Sequence, residues 1–211
     1  MATLPSGVTA ASLQLADALA GVAERLAQST VQVRDPRELR DGRRGPSGAG
    51  SGVIWRADGV VVTNAHVVRE ARRVVVELTD GRAFDAEVTC VDPRRDLALL
   101  RLDALHLPAV RVGDPGALRA GQLVVALGHP WGVRNALAAG VVHATSARDR
   151  HWVKADVRLA PGNSGGPLAD AWGRVVGINS MIVRGLAYAV PSDAVERFLA
   201  AAWRAAEPAA A

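Results

Sequence analysis

The sequence predicts an all-β protein whose strands fall into two groups, with one helix at each end of the chain. Three observations carry this. Short apolar runs rich in Val, Leu and Ile recur at close, regular spacing between turn signals, as they do in sandwiches and barrels. Two Asp-Gly pairs, Asp58-Gly59 and Asp80-Gly81, each stand between two such runs, where the positive φ of a tight hairpin is required. Helical spacing of apolar residues is read only near the two ends.

Taken in order, Ser12 to Ala27 carries Leu15, Leu19, Val22 and Leu26 on one helical face, with Ser12 as N-cap. This is an amphipathic helix packed on the body, with a partner-binding helix as the alternative. Arg34 to Ser47 interleaves Arg and acidic residues with Pro36 and Pro46. It has too few apolar residues to bury itself and reads as a mobile surface loop. The stretch Gly48-Ala49-Gly50-Ser51-Gly52 resembles a phosphate loop only superficially: no Lys-Ser/Thr follows, and it leads into a strand.

The first group of strands is Gly50–Trp55, Val60–Thr63, Val74–Leu78, Phe84–Val91 and Leu97–Leu102. Gly113-Asp114-Pro115-Gly116 reads as a linker. The second group is Leu123–Leu127, Ala136–His143, Trp152–Ala155, Pro167–Ala169, Val175–Ile178 and Leu186–Val190. Pro191-Ser192-Asp193 opens a terminal helix over Ser192 to Ala206, with Asp193 well placed in the first turn. The expected division is 1–29 for the N-terminal helical segment, 30–113 and 114–193 for the two β units, and 194–211 for the helix and tail.

Composition narrows the function. The net charge of +4 is mild and the Arg residues are scattered among acids, which argues against a nucleic-acid footprint. Cys90 is the single cysteine, so no intramolecular disulfide supports the fold. Gln14, Asp17 and Glu24 interrupt the apolar N-terminus, which has no basic leader, and no apolar run is long enough to span a bilayer. The expectation is a soluble cytoplasmic protein, with an extracytoplasmic one as the alternative if this sequence is a trimmed part of a longer chain. His106, His129, His143 and His151 lack metal-ligand spacing, and neither metal nor cofactor is assigned. Cys90 is assigned to the core.

The chemistry concentrates in three places. Pro161-Gly162-Asn163-Ser164-Gly165-Gly166-Pro167-Leu168 sets a serine in a turn that cannot be helical. Such a turn exposes a hydroxyl and gathers backbone N–H groups in the same space, the two needs of nucleophilic acyl transfer. Thr63-Asn64-Ala65-His66-Val67-Val68 puts a histidine at a strand end, and Asp96 precedes the apolar strand Leu97-Ala98-Leu99-Leu100. Each residue alone has an ordinary structural explanation. Their order, His66 then Asp96 then Ser164, is that of the chymotrypsin family.

Taken with Asp92-Pro93, Gly50-Ser51-Gly52-Val53-Ile54, Gly128-His129-Pro130-Trp131-Gly132 and Ala187-Tyr188-Ala189-Val190-Pro191-Ser192, these motifs resemble the HtrA/Deg family of serine proteases from about Thr30 to Val195. The resemblance implies two six-stranded antiparallel β-barrels of the chymotrypsin-like type. It implies Ser164 as nucleophile, His66 as general base and Asp96 as its orienting partner. Gly162 and Ser164, helped by Asn163, would form the oxyanion hole. Arg158, Leu159, Met181 and Ile182 would line the substrate pocket, with Arg158 as a departure from the small residue usual there. Asn163 carries no charge to pair with a new N-terminus, so activation by loop ordering is expected and propeptide cleavage is not. Protein or peptide substrates are the implied partners. No PDZ domain is expected, and the N-terminal aromatic contacts of the family's trimer find no match. A barrel that binds peptides without turnover is the competing reading.

Overall fold

The computed structural model describes residues 10–36, 49–130, 133–144 and 151–206. Most of the Arg34–Ser47 loop and Trp131-Gly132 therefore lie outside the described residues. Helix α1 (Ala10–Ser29) is longer than the apolar stripe suggested. Its second half packs on the body through Val22 and Leu26, while Leu13 and Leu15 on the first half are exposed. The Thr30 hydroxyl ends it by donating to the Leu26 carbonyl (2.7 Å), which satisfies one of the last-turn acceptors. The chain then passes directly into β1 (Thr30–Arg34).

The remaining strands are β2 (Ala49–Arg56), β3 (Val60–Thr63), β4 (Arg73–Glu77), β5 (Ala83–Asp92) and β6 (Leu97–Leu102), then β7 (Leu123–Gly128), β8 (Ala136–Ala144), β9 (Val153–Asp156), β10 (Pro167–Asp170), β11 (Val175–Val183) and β12 (Leu186–Pro191). They form two closed antiparallel barrels, ordered β1-β2-β3-β6-β5-β4 and β10-β11-β12-β9-β8-β7. This is the chymotrypsin-like double barrel. β1 belongs to no strand named from sequence, yet it closes the first barrel by pairing with both β2 and β4.

Alternation explains why the strands read as unbroken apolar runs. In β2, β3 and β6, Ile54, Val61, Ala98, Leu100 and Leu102 fill the first barrel. Their neighbours Val53, Val60, Val62, Leu97 and Leu99 face outward into a second core shared with Val125, Leu127 and Ile178 of the other barrel. Both faces of these strands are buried, so both sets of alternate positions must be apolar. Val22 and Leu26 of α1 and Val195, Phe198 and Leu199 of the terminal helix complete that shared core.

The Asp-Gly turns take a looser form than a two-residue hairpin. Arg56 pairs with Val60 and Glu77 with Ala83, leaving loops of Ala57-Asp58-Gly59 and Leu78 to Arg82. Only the glycines adopt positive φ, 92° at Gly59 and 91° at Gly81, as in the longer hairpin loops built with one left-handed residue. At Gly59 a Cβ would also stand 2.2 Å from the Leu102 carbonyl oxygen.

The terminal helix, α3 (Ser192–Ala206), follows the second barrel but is tied to the first. Trp55 Nε1 donates to Glu196 Oε1 (2.7 Å), and the Arg56 guanidinium lies 4.8 Å over the Trp203 ring. The linker is tied down as well. Gly113 N donates to Val175 O (2.8 Å), Ser192 Oγ donates to Gly113 O (2.8 Å), and Asp114 caps a short 3-10 turn over Pro115–Ala117. Among the described residues no helix is long and apolar enough to cross a membrane.

One buried titratable group sits where the barrels meet. His129, following β7, is 2% exposed. Its Nδ1 accepts from Asn135 N–H (3.3 Å), so the proton belongs on Nε2, which finds no acceptor among the described residues. Burial, followed by the nearby charges of Arg134 and Arg34, pushes its pKa down to about 4. Both arginines also engage Glu77.

Two outcomes follow. The unfolded chain takes up the His129 proton near pH 6.5, whereas the folded chain resists it until about pH 4. Stability from keeping this ring neutral is therefore full above about pH 6.5 and falls by about 3 kcal/mol as pH drops to 4. Asp80, Asp92 and Asp96, whose carboxyls are held low, lose their contributions only at lower pH. Urea unfolding midpoints should decline from pH 7 to 4.5 in the wild type and decline less in His129→Gln. Separately, Leu199→Ala removes a fully buried side chain from the shared core and should cost about 2–5 kcal/mol. A single weakened unfolding transition, read by far-UV and Trp signals together, is the expected result.

Candidate active site

His66 and Asp96 come from adjacent strand ends. β3 runs beside β6 in the first barrel, with Thr63 opposite Ala98. Directly after β3 the chain makes one helical turn, α2 (Ala65–Val68), anchored by buried Val68, and this turn presents His66. Asp96 closes the loop before β6 with φ of 55°, a left-handed conformation that Asp tolerates better than most residues. The loop is shaped by Asp92, whose Oδ1 accepts from the N–H groups of Arg94 (3.0 Å) and Arg95 (3.2 Å). Buried Asn64 then pins the result, donating from Nδ2 to the Asp96 carbonyl (2.8 Å).

The Asp96 carboxylate is saturated with donors. Oδ1 accepts from His66 N–H (3.1 Å), and the His66 Nδ1–H lies 3.0 Å from Oδ1 and 2.9 Å from Oδ2. Ser180 Oγ donates to Oδ2 at 2.5 Å. Burial alone would raise this carboxyl. The hydrogen bonds from the His66 ring, the Ser180 hydroxyl and the His66 N–H outweigh it and hold the group below the usual carboxylate range. An ionised Asp96 keeps the imidazole proton on Nδ1 and leaves the Nε2 lone pair facing outward. The His66 side chain is 51% exposed, so that lone pair is open to a reacting group.

Two linked turns position Ser164 in the second barrel. In the first, Asn163 N donates to Ala160 O (3.0 Å) across Pro161 and Gly162, and Gly162 has φ of 103°. In the second, Gly166 N donates to Asn163 O (3.0 Å) across Ser164 and Gly165, and Gly165 has φ of 85°. A glycine of positive φ at the third position is the type II signature. Gly165 N is bonded to Asn179 O (2.8 Å). The N–H groups of Gly162 and Ser164 are thereby left over, and among the described residues neither has an acceptor.

Ser180, on β11, joins the two halves. Its hydroxyl holds Asp96, while its carbonyl accepts from Ser164 Oγ (3.2 Å). Sequence alone does not single out this residue, since nothing in Asn179-Ser180-Met181 distinguishes it from an ordinary strand serine. Asn163 departs from the part expected of it in the oxyanion hole: its N–H is spent on Ala160, and its side chain is buried with Oδ1 toward Gly128. Of the expected pocket residues, Arg158 is exposed and Leu159 packs partly on the core of the second barrel. Met181 and Ile182 are exposed at the end of β11, beside Ser180. Among the described residues no group of three His, Cys, Asp or Glu side chains is arranged to hold a metal. Cys90 is half-buried and packs against the shared core, on a groove beside Phe198 and Ala202 of α3.

Residues 50–178 match the family model described as trypsin-like peptidase domain. Serine protease HTRA1B of Danio rerio is 37% identical over 193 residues, and mitochondrial serine protease HTRA2 of Bos taurus 38% over 193 residues. Serine protease HTRA4 of Homo sapiens is 39% identical over 195 residues. Each match covers 86% of this chain but only 40–42% of the relative, so the chain spans about two fifths of their length. The double barrel, the family match over most of its strands and the identity to these proteases lead to one conclusion: the chain belongs to the trypsin-like peptidase family and is related within it to the HtrA serine proteases.

Proposed function

We propose that this protein is a serine endopeptidase in which Ser164, His66 and Asp96 cleave peptide bonds in unfolded or exposed protein segments. One observation carries the reading. Ser180 bonds Asp96 through its hydroxyl and Ser164 through its carbonyl, which gathers the three groups from two barrels around one strand residue, beside two unused backbone donors.

Ser164 Oγ turns from the Ser180 carbonyl toward His66 Nε2 and attacks the substrate carbonyl as its proton passes to the imidazole. The hydrogen bond given up is worth only about 1 kcal/mol net, and such contacts are often loose before substrate binds. Asp96 stabilises the imidazolium. His66 then returns the proton to the leaving amine as the C–N bond breaks, and water hydrolyses the acyl-enzyme by the same steps in reverse order. The Gly162 and Ser164 N–H groups receive the developing oxyanion, each worth roughly 3 kcal/mol in comparable sites. Met181 and Ile182 offer exposed apolar surface beside Ser180, which favours aliphatic side chains next to the cut. The exposed position of Arg158 avoids the cost of burying an unpaired guanidinium.

Wild-type protein should degrade casein and be labelled by a fluorophosphonate, and Ser164→Ala should do neither. A folded wild type that resists labelling would instead indicate a peptide-binding barrel without turnover. Asp96→Asn keeps the side-chain shape but not the charge, and should lower kcat on the order of 10⁴-fold. In peptide pools differing at the residue before the cut, Val and Leu should be cleaved faster than Asp and Glu. The opposite preference would mean that Arg158 turns inward.

A further inference from the structure

We propose that Ser51, on the first barrel, is a positioning residue that aligns the two oxyanion donors of the second barrel by holding Gly162 and Ser164 from behind. The inference rests on the protease reading above and assigns a part to a residue that touches neither substrate nor the reacting atoms.

Ser51 is fully buried, and all four of its hydrogen-bonding connections are directed to the seam. Its N–H donates to Ser164 O (2.8 Å), and its carbonyl accepts from Thr63 Oγ1 (2.6 Å). Its hydroxyl donates to Gly162 O (2.7 Å) and accepts from His129 N–H (3.0 Å). The register explains why these groups are available. β2 outruns β3, and the last β2–β3 pair is Val53 with Val62. Ser51 therefore has no backbone ladder partner on β3, and the Ser164 carbonyl and the Thr63 side chain take the place of one.

The geometry matters because of which residues are held. Gly162 and Ser164 are the two residues of these turns whose N–H groups have no acceptor among the described residues. Gly162, at φ of 103°, has the widest rotational freedom of any residue type, and its neighbouring peptides can turn at little cost unless something fixes them. The Ser51 hydroxyl fixes the Gly162 carbonyl, and its backbone fixes the Ser164 carbonyl. The space around it leaves no slack. A Cβ on Gly128 would come within 2.9 Å of Ser51 Oγ, and a Cβ on Gly165 within 2.0 Å of Ser51 O. Only a side chain of serine's size that can donate and accept through one atom meets both demands.

Ser51→Ala removes both arms of the hydroxyl, the one to the Gly162 carbonyl and the one from the His129 N–H, while the backbone arms to Ser164 and Thr63 stay in place. The test compares wild type, Ser51→Ala and Ser51→Cys on one peptide substrate. Inhibition by a matching peptide aldehyde, whose hemiacetal oxygen occupies the same donors, and binding of the cleaved product peptide are measured alongside. Ser51→Ala should lower kcat by on the order of 10²-fold, the effect of a misplaced catalytic group, with KM and product affinity within about threefold of wild type. Aldehyde inhibition should weaken in parallel with kcat. Ser51→Cys fills the space with a weaker hydrogen-bonding atom and should fall between, which keeps the test decisive if Ser51→Ala does not fold. A kcat within twofold of wild type in a folded Ser51→Ala or Ser51→Cys would overturn the inference while leaving the protease reading intact. Loss of product affinity in step with kcat would overturn it as well, by showing a general collapse of the site. A wild type inert to both substrate and fluorophosphonate would remove the protease reading and this inference together.

Discussion

The backbone hydrogen bond from Ser51 N to Ser164 O is the contact on which the arrangement of the site depends. Each barrel closes on itself, β1 on β4 and β7 on β10, so neither offers a free edge along which the other could extend a sheet. They can join only through outward side chains and through strand ends that outrun their partners. The apolar side chains supply the larger share of the area, in the core that includes Val53, Val62, Leu127 and Ile178. Such contacts are non-directional. Direction comes from the polar seam, where Ser51, Thr63, His129, Gly162 and Ser164 lock one barrel against the other in a single register.

Two ionisable groups near this seam meet opposite fates for the same reason. Both Asp96 and His129 are partly or wholly removed from water. Asp96 keeps its charge because His66 and Ser180 bring hydrogen-bond donors to both oxygens. His129 is held neutral by burial, followed by the nearby guanidinium groups of Arg134 and Arg34, and among the described residues its Nε2 has no hydrogen-bond acceptor. Burial sets the stakes, and the neighbours determine which protonation state survives. One barrel thus stores an anion next to His66, while the other buries an uncharged imidazole beside the turn that carries Gly162.

The strands were legible in the sequence because both faces of β2, β3, β6 and β7 are buried, which writes them as unbroken apolar runs. The terminal helix was legible for a different reason, its Pro191-Ser192-Asp193 opening. β1 is not legible as a strand. It follows α1 with no turn residue between them, and its five residues mix Val31 and Val33 with polar Thr30, Gln32 and Arg34. Those polar residues are buried against the other barrel or paired, a circumstance that only tertiary structure creates. In the site, His66, Asp96 and Ser164 could be read because each sits at a strand end or turn in a distinctive local string. Ser51 and Ser180 could not. Their partners lie 111 and 84 residues away, and a serine within a strand carries no local mark of a distant acceptor.

Those separations bear on how the molecule comes into being. Contacts between residues far apart in the chain form late, since the intervening segment must first lose its freedom. The first barrel, complete by Leu102, can bring His66 to Asp96 while the second is still unmade. Ser164 has neither the Ser51 amide nor the Ser180 scaffold until both barrels have docked. On the proposed reading, a nascent chain in that condition would carry its base without its nucleophile, and so could not cut the unfolded portion of itself or of its neighbours.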